Sequence, residues 1–465
     1  MIRRFISIAG LAFLVTGCML GPDYERPDIP VPENFNQQID SGESIVNLPW
    51  WELFRDDRLK ALIAIALTEN KDIAVAAARV EEARARLGFV RADQYPQIGV
   101  GAQGDRTDPG AIAPNFGINE QYKLAADLSF ELDVWGRLRR STEAARAELL
   151  ATEEARRTVI VSLIADLASA YLLLRDADHR LDISERTLTS RLESLKIIQA
   201  RFDHGTVPLI DVNQAEIQAA EAMVSVATAK REIAQTENLI SILLGRNPGP
   251  ILRNHDDLDP SIQLPAIPTG LPAQLLSRRP DIREAEQLLA AQTARIGAAQ
   301  ALRLPTLSLT GAFGLASSEL SQFNSGEAIA WDIGAKLFGP LFDAGMSKRR
   351  VEIEKARTEQ LLKQYEKTVQ QALREVEDAL VGIRTRGDEL AARARQLDAA
   401  RSAAMLSHSR YDGGVTSYLE VLDSERSLFN AELAESITRR NQLIAVVELY
   451  KALGGGWTAE NIAEQ

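Results

Sequence analysis

The heptapeptide "RYDGGVT" spans Arg410–Thr416, and a near copy, "RFDHGTV", spans Arg201–Val207. The two lie 209 residues apart. A structural repeat must keep that register far from the seed, and this one does. Asp72-Ile73 recurs as Asp281-Ile282, Ala85-Arg86 as Ala294-Arg295, and Gly88 as Gly297. Pro96 recurs as Pro305, Gly136 as Gly345, Arg175 as Arg384 and Leu244-Gly245 as Leu453-Gly454. No gap is needed. The chain therefore holds two tandem copies of one unit, over 70–245 and 281–454.

Each copy has the same expected layout. A first helix covers about 70–93 in one copy and 281–303 in the other. An extended region bounded by Pro96 and Gly136, or by Pro305 and Gly345, follows it. Alternation such as Ile98, Val100, Ala102 and Leu307, Leu309 has the period of a strand. The expected strands cover about 96–103, 122–132, 305–313 and 329–341. These lengths are close to the roughly 9–11 residues of a tilted transmembrane strand. Between the strands of the first copy, "DRTDPGAIAPNFGINE" reads as a polar loop.

Long helical hairpins follow, over about 136–245 and 345–454. From Arg137 to His204 there is neither Gly nor Pro, and the stretch is rich in Ala, Leu, Glu and Arg, all strong helix formers. Leu181, Leu188, Leu192 and Leu195 have the spacing of a coiled-coil seam. A helix of such length is about 100 Å long, at roughly 1.5 Å per residue. It does not fit a compact globule of this mass, roughly 60 Å across by its expected radius of gyration, so an elongated molecule is expected. The opening heptapeptides then become hairpin tips. Gly205 and Gly414 close the long helices in the left-handed conformation, and Pro208 and Ser417 suit the first turn of the returning ones.

Two segments lie outside the copies. The first, 18–69, is a Pro-rich strap, "LGPDYERPDIPVPENF", followed by a helix from about Asp57. The second, 246–280, holds seven of the 18 prolines and reads as a linker. A tail covers 455–465. At the N-terminus, "MIRRF" and the 13-residue apolar stretch "FISIAGLAFLVTG" read as a signal peptide over 1–17. It ends at Cys18, the only cysteine of the 465 residues. Cys18 is either an incidental thiol or the acylated first residue of a bacterial lipoprotein. A lone cysteine makes no internal disulfide, which favours acylation, and Met19 in place of Asp favours delivery to the outer membrane.

Composition narrows the function classes. Net charge is −12, with 45% hydrophobic and 25% charged residues. No basic cluster is interleaved with aromatics, so a nucleic-acid surface is not expected. Beyond the N-terminus no unbroken run of about 18 apolar residues argues for a helical membrane span. A membrane β-barrel leaves only a weak signal of this kind. The four histidines, His179, His204, His255 and His408, are not spaced as metal ligands, and no Gly-rich loop joins a strand to a helix as a phosphate site would. Neither catalysis, metal nor cofactor is expected.

Four membrane-length strands cannot close a barrel, and lipid satisfies no unpaired strand edge. The smallest closed barrels have about eight strands, so strands must be pooled between chains. A dimer gives eight, a trimer twelve, a tetramer sixteen. Tyr122 and its repeat mate Trp331 begin the second strand of each pair, either as interface aromatics or as ordinary packing.

The stretches "GPDYERP", "PWWELFRDDRLKALIAIALTENKDI", "LLSRRPDIREAEQLLAAQTARIGAAQALRLPTLSL" and "RYDGGVTSYLEVLDSERSLF" resemble the outer membrane factors. These are TolC-like channels, and the match is to the OprM-like lipoprotein branch that serves resistance-nodulation-division efflux pumps. Arg58 departs from the proline common there. The resemblance implies a mainly α-helical fold with a membrane β part, a homotrimer with a twelve-stranded barrel and an α-helical periplasmic tunnel. It also implies a periplasmic adaptor and an inner-membrane pump as partners, with Gly205 and Gly414 at the tips that meet the adaptor. By motif position it puts Leu419 and Asp423 at a periplasmic constriction. Arg410 and Tyr411 become tethers, with Arg201, Ile210, Asp211 and Gln214 as their counterparts in the first copy. The plainer reading makes Asp423 a solvated charge and Leu419 packing. A periplasmic coiled-coil adaptor or scaffold lipoprotein is the alternative for the whole chain.

Overall fold

The computed structural model describes residues 19–36, 56–107, 119–253, 272–323 and 325–455. Cys18 and most of the linker and tail lie outside them. The elements are α1 (Asp57–Glu69), α2 (Lys71–Ala92), β1 (Gln97–Thr107), β2 (Asn119–Leu132), α3 (Arg137–Asp203) and α4 (Leu209–Leu243). After the linker come α5 (Pro272–Arg278), α6 (Pro280–Ala301), β3 (Thr306–Ser317), β4 (Ile329–Phe338), α7 (Met346–Asp412) and α8 (Tyr418–Ala452). Both α3 and α7 are 67 residues long, and both α4 and α8 are 35. The two tandem repeats thus match element for element. Pro208 and Ser417 are N-cap residues with extended backbone, not first-turn residues, and neither cap is closed by a side chain.

The chain divides into two compact units, and these are not the two repeats. Each takes part of both copies: 1–29, 78–154 and 284–367 in one, 30–77, 155–283 and 368–465 in the other.

The first unit is built on a four-stranded antiparallel sheet in the order β1-β2-β3-β4. Its strands reach further into the polar loop than alternation suggested. Asp105, Arg106 and Thr107 pair with Gln121, Glu120 and Asn119, and Arg106 lies 3.4 Å from Glu120. A cross-strand ion pair makes these polar residues part of the ladder. β3 likewise runs on to Ser317, while β4 stops at Phe338.

The N-terminal strap is clamped within the same unit. The guanidinium of Arg140, almost wholly buried, donates to the carbonyls of Leu20 (3.0 Å) and Gly21 (3.2 Å) and to the Asp23 carboxylate (2.7 Å). Desolvation is the largest influence on this group, and the carboxylates of Glu143 and Asp23 outweigh it and raise its pKa. Further on, Arg26 grips both oxygens of Glu286, one at 2.8 Å, a bidentate geometry that only a guanidinium offers. Glycine is obligatory at 297, where a Cβ would approach the Leu20 carbonyl oxygen at 2.4 Å.

The second unit is helical. Asp56 caps α1 by accepting from the amides of Arg58 and Leu59 and also accepts from the Tyr171 hydroxyl at 2.8 Å. Buried Asn70 accepts from the amides of Asp72 and Ile73 and donates to the Leu243 carbonyl at 2.8 Å. Its repeat mate Arg279 donates to the Ala452 carbonyl at 2.8 Å. The repeat thus keeps one joint with two chemistries. Deeper in, the fully buried Asp176 accepts from Ser436 (2.7 Å), Arg440 (2.8 Å) and Arg180 (3.0 Å).

One helix, α3, has an 18-residue window apolar enough to cross a membrane by composition. It differs from the unbroken run sought in the sequence because isolated charges such as Asp166 are tolerated in such a window. As 61% of it is buried within the protein, it is core.

Two outcomes test this packing. Gly297→Val should dislodge the strap, so that a glutamate-specific protease cuts after the exposed Glu25 much faster than in the wild type, read by N-terminal sequencing. Asp176→Ala takes the shared carboxylate from Arg440 and leaves Arg180 only Glu232, and should cost about 3 kcal/mol, measured as a lowered unfolding midpoint.

Candidate functional site

Two surfaces carry the functional residues: the hairpin tips and the sheet. At the tips, Gly205 and Gly414 both have φ of +71° with open space around them. Each closes its long helix by the same backbone pattern: Thr206 N–H donates to the Arg201 carbonyl, and Val415 N–H to that of Arg410. This is why the heptapeptide recurs. Its arginine carbonyl is the acceptor and its glycine takes the left-handed turn.

The two tips are tied through a small core of Ile198, Val212, Ala215, Tyr418, Val421 and Leu422, flanked by Leu195, Phe202, Val207 and Tyr411. Arg201 crosses from one hairpin to the other. Its Nη1 donates to the Tyr411 hydroxyl at 2.7 Å, and its guanidinium carbon lies 5.3 Å from the Tyr411 ring centroid. Tyr411 in turn packs on Tyr418, with centroids 5.4 Å apart. The other arginine of the repeat behaves differently. Arg410 lies 3.3 Å from Glu420 within its own hairpin, and Thr416 donates to the same carboxylate. Asp423 is exposed and pairs with Arg426 at 2.5 Å, not with either tether. Leu419 and its mate Ile210 are both exposed, at 58% and 61%. Asp211 and Gln214 are half-buried beside the core residue Val212.

Sequence reasoning missed the parts played by four residues. Tyr418 is buried, although its repeat mate Leu209 is exposed; only its place next to "LEVLD" could have flagged it. His408 and Glu425 meet at 2.6 Å. Arg191 sits in the seam of α3, where the buried residues are Ser184, Arg191 and Ile198 at intervals of seven, while Leu192 is exposed. Arg191 donates to the Gln218 carbonyl at 2.7 Å and lies over the Phe429 ring. Among the described residues its Nε and Nη2 find no hydrogen-bond partner, and burial lowers its pKa. A heptad search for leucine cannot find an arginine in the seam.

The sheet has two chemically distinct faces, as the register requires. One carries Ile98, Val100 and Ala102 opposite Leu128, Ala126 and Leu124, continued by Leu309, Phe313 and Leu315 and then by Ala335, Trp331 and Ile329. The other carries Gln103, Asp105, Lys123, Asp127, Ser308, Thr310, Asp332 and Lys336. Tyr122 and Trp331 share the apolar face but not a rung. Tyr122 is opposite Ser317 and Trp331 opposite Phe313, four positions away. Every residue of β1 is exposed, as is every residue of β4 except Gly334, so both edges are open. Among the described residues no group of three or more His, Cys, Asp or Glu side chains is placed to hold a metal ion.

A sheet of membrane length with one apolar and one polar face, joined to long helical hairpins, has the makeup of a channel-forming outer-membrane chain. The family model described as "Outer membrane efflux protein" matches residues 62–246 and 271–455, and the chain belongs to that family. It is 35% identical over 451 residues to the cation efflux system protein CusC of Escherichia coli O6:H1, covering 96% of this chain and 97% of that one. It is 38% identical over 467 residues to the toluene efflux pump outer membrane protein TtgI of Pseudomonas putida, covering 98% and 99%. Among solved structures, the open state of the Neisseria gonorrhoeae MtrE outer membrane channel superposes with a TM-score of 0.85 at 31% identity, covering 94% of this chain and 98% of that one. The chain is thus an outer-membrane exit duct of an efflux system, its helical part periplasmic, and the adaptor or scaffold reading falls.

The tip core is sensitive to alkali. Burial first, then the charges of Glu425, Tyr411 and Asp211, push the Tyr418 phenol up to about 12. The folded tip therefore favours the neutral phenol. That stabilisation is complete below the unfolded value of about 10 and is lost as pH rises through the raised value. Protection factors of the tip amides, taken relative to the base-catalysed intrinsic exchange rate, should fall between about pH 10 and 12, and Tyr418→Phe should flatten the fall.

Proposed function

We propose that three copies of this chain close a twelve-stranded barrel in the outer membrane. Their hairpins continue it as a tunnel, docked at the tips to a periplasmic adaptor and an inner-membrane pump of the resistance-nodulation-division class. The observation that carries this reading is the pair of open edges on an amphiphilic four-stranded sheet. Lipid offers no hydrogen bonds to β1 or β4, so each edge must meet the other edge of an identical neighbour. Flow through the duct is passive and no bond is made or broken, so the chain is no enzyme. Small molecules are the cargo, and the choice among drugs, cations and solvents is made upstream. Cys18 carries the lipid anchor, the only cofactor-like group, with acyl chains that add membrane affinity to the barrel.

The tips form the gate. Ile210 and Leu419, exposed in a single chain, line the constriction as an apolar ring, and Asp423 adds a ring of carboxylates that favours cations. Arg201–Tyr411 and Arg410–Glu420 hold the tips in place. Asp423→Ala combined with Arg410→Ala should raise single-channel conductance in planar bilayers, because one charged ring and one tether go together. Unchanged conductance would remove both residues from the gate.

A further inference from the structure

The sheet carries a template for its own continuation. Within one chain, the joint between the copies is β2 on β3, with Leu128 opposite Gly311, Phe130 opposite Leu309 and Leu132 opposite Leu307. The repeat maps β2 onto β4 and β3 onto β1 by the same offset everywhere. The register shows this, since Gln97 opposite Ser129 maps without slippage onto Thr306 opposite Phe338. Applied to β2 on β3, the offset turns the joint within a chain into a joint between chains.

We infer that β4 of one copy pairs with β1 of the next in one register, Leu337 opposite Ala102, Gly339 opposite Val100 and Leu341 opposite Ile98, each second residue belonging to the neighbour. This rests on the pooled-barrel reading above and adds to it which residues meet. Three observations carry it. The first is parity: all six residues fall on the apolar face, so the neighbour extends that face without a break. A slip of one residue would put Gln103 against Leu337 or Gln97 against Leu341. The second is strand length. Phe130–Leu132 belong to β2 because β3 pairs with them, whereas β1 ends its pairing at Ser129. Their mates Gly339–Leu341 lie beyond the end of β4 and have no ladder partner in one chain. The third is exposure. Leu341 is 102% exposed and the adjoining Phe342 90%, and across the sheet Phe89 and Tyr95, which lead into β1, are exposed as well. Large apolar side chains bared at both edges of one unit, at the same end of the strands, are halves of one contact.

The helices agree in part. Gly297 packs on Arg140, where a Cβ would come 3.0 Å from Cγ, while its mate Gly88 meets nothing within 4 Å. The mapped contact is Gly88 of the neighbour on Arg349. One contact does not carry over: the Arg295–Glu148 ion pair maps onto Arg86 and Arg357, two cations. Cohesion between chains therefore falls to the ladder and the apolar junction.

The test is oxidative cross-linking of the full-length protein in outer membranes, with the wild type oxidised in parallel to account for Cys18. Leu337→Cys with Ala102→Cys should yield covalent dimers and trimers on non-reducing gels, at least about threefold faster than Leu337→Cys with Gly104→Cys, because a diagonal pair lies roughly 7–8 Å apart against 4.5–5.5 Å for a direct one. Leu341→Cys with Ile98→Cys, both exposed positions, should cross-link like the first pair, which guards against one poorly folded variant. Arg357→Glu, outside the sheet, should raise the temperature at which detergent-resistant oligomers dissociate, by restoring the ion pair across chains. Faster linking of the diagonal pair, or equal rates, in a protein that still runs as a trimer overturns the register alone. A protein that runs as a monomer before oxidation overturns the register and the pooled barrel together.

Discussion

A backbone amide or carbonyl in hydrocarbon must find its partner within protein. The sheet of this chain answers to that requirement. The four strands satisfy one another internally at three interfaces and leave two unsatisfied edges, so the single chain is an incomplete object by construction. The repeat resolves this economically. Because the second copy reproduces the first without an insertion, the exit edge of copy two has the geometry that copy one's exit edge already uses against copy two. Closure then needs no new interface design, only another copy.

The periplasmic helices satisfy their backbone by another route. Their hydrogen bonds are internal to each segment, so α3 and α7 need side-chain packing alone to hold their neighbours. In the helical unit that packing includes polar joints at repeat-related places. Asn70 on the Leu243 carbonyl and Arg279 on the Ala452 carbonyl show one geometric need met by an amide and by a guanidinium. Duplicated copies diverge in chemistry while the carbonyl they must satisfy stays put.

Much of this was legible in the sequence. Helix lengths, hairpin tips and the two-copy architecture follow from Gly and Pro positions and from one heptapeptide, because backbone punctuation is local physics. Strand ends were less legible. Asp105–Thr107 look like loop until the partner strand supplies Glu120 to Arg106, and Gly339–Leu341 look like strand although their partner is absent from one chain. At the tip the sequence offered candidate residues but not their partners: Arg201 meets Tyr411, Arg410 lies by Glu420 and Asp423 by Arg426. Which carboxylate an arginine takes depends on a few ångströms of side-chain reach, and spacing along the chain does not encode it. Arg191 was missed because an arginine in a helical seam breaks the apolar rule that finds seams.

The buried carboxylate of Asp176 joins α3 to α8 through Ser436 and Arg440 and holds Arg180 as well. Beyond that node, toward Arg201, α3 meets α8 again through the Arg191 guanidinium over the Phe429 ring and through the buried core at the tip. The two hairpins are thus riveted at successive heights, an ionic rivet at Asp176 and more apolar ones nearer the tip.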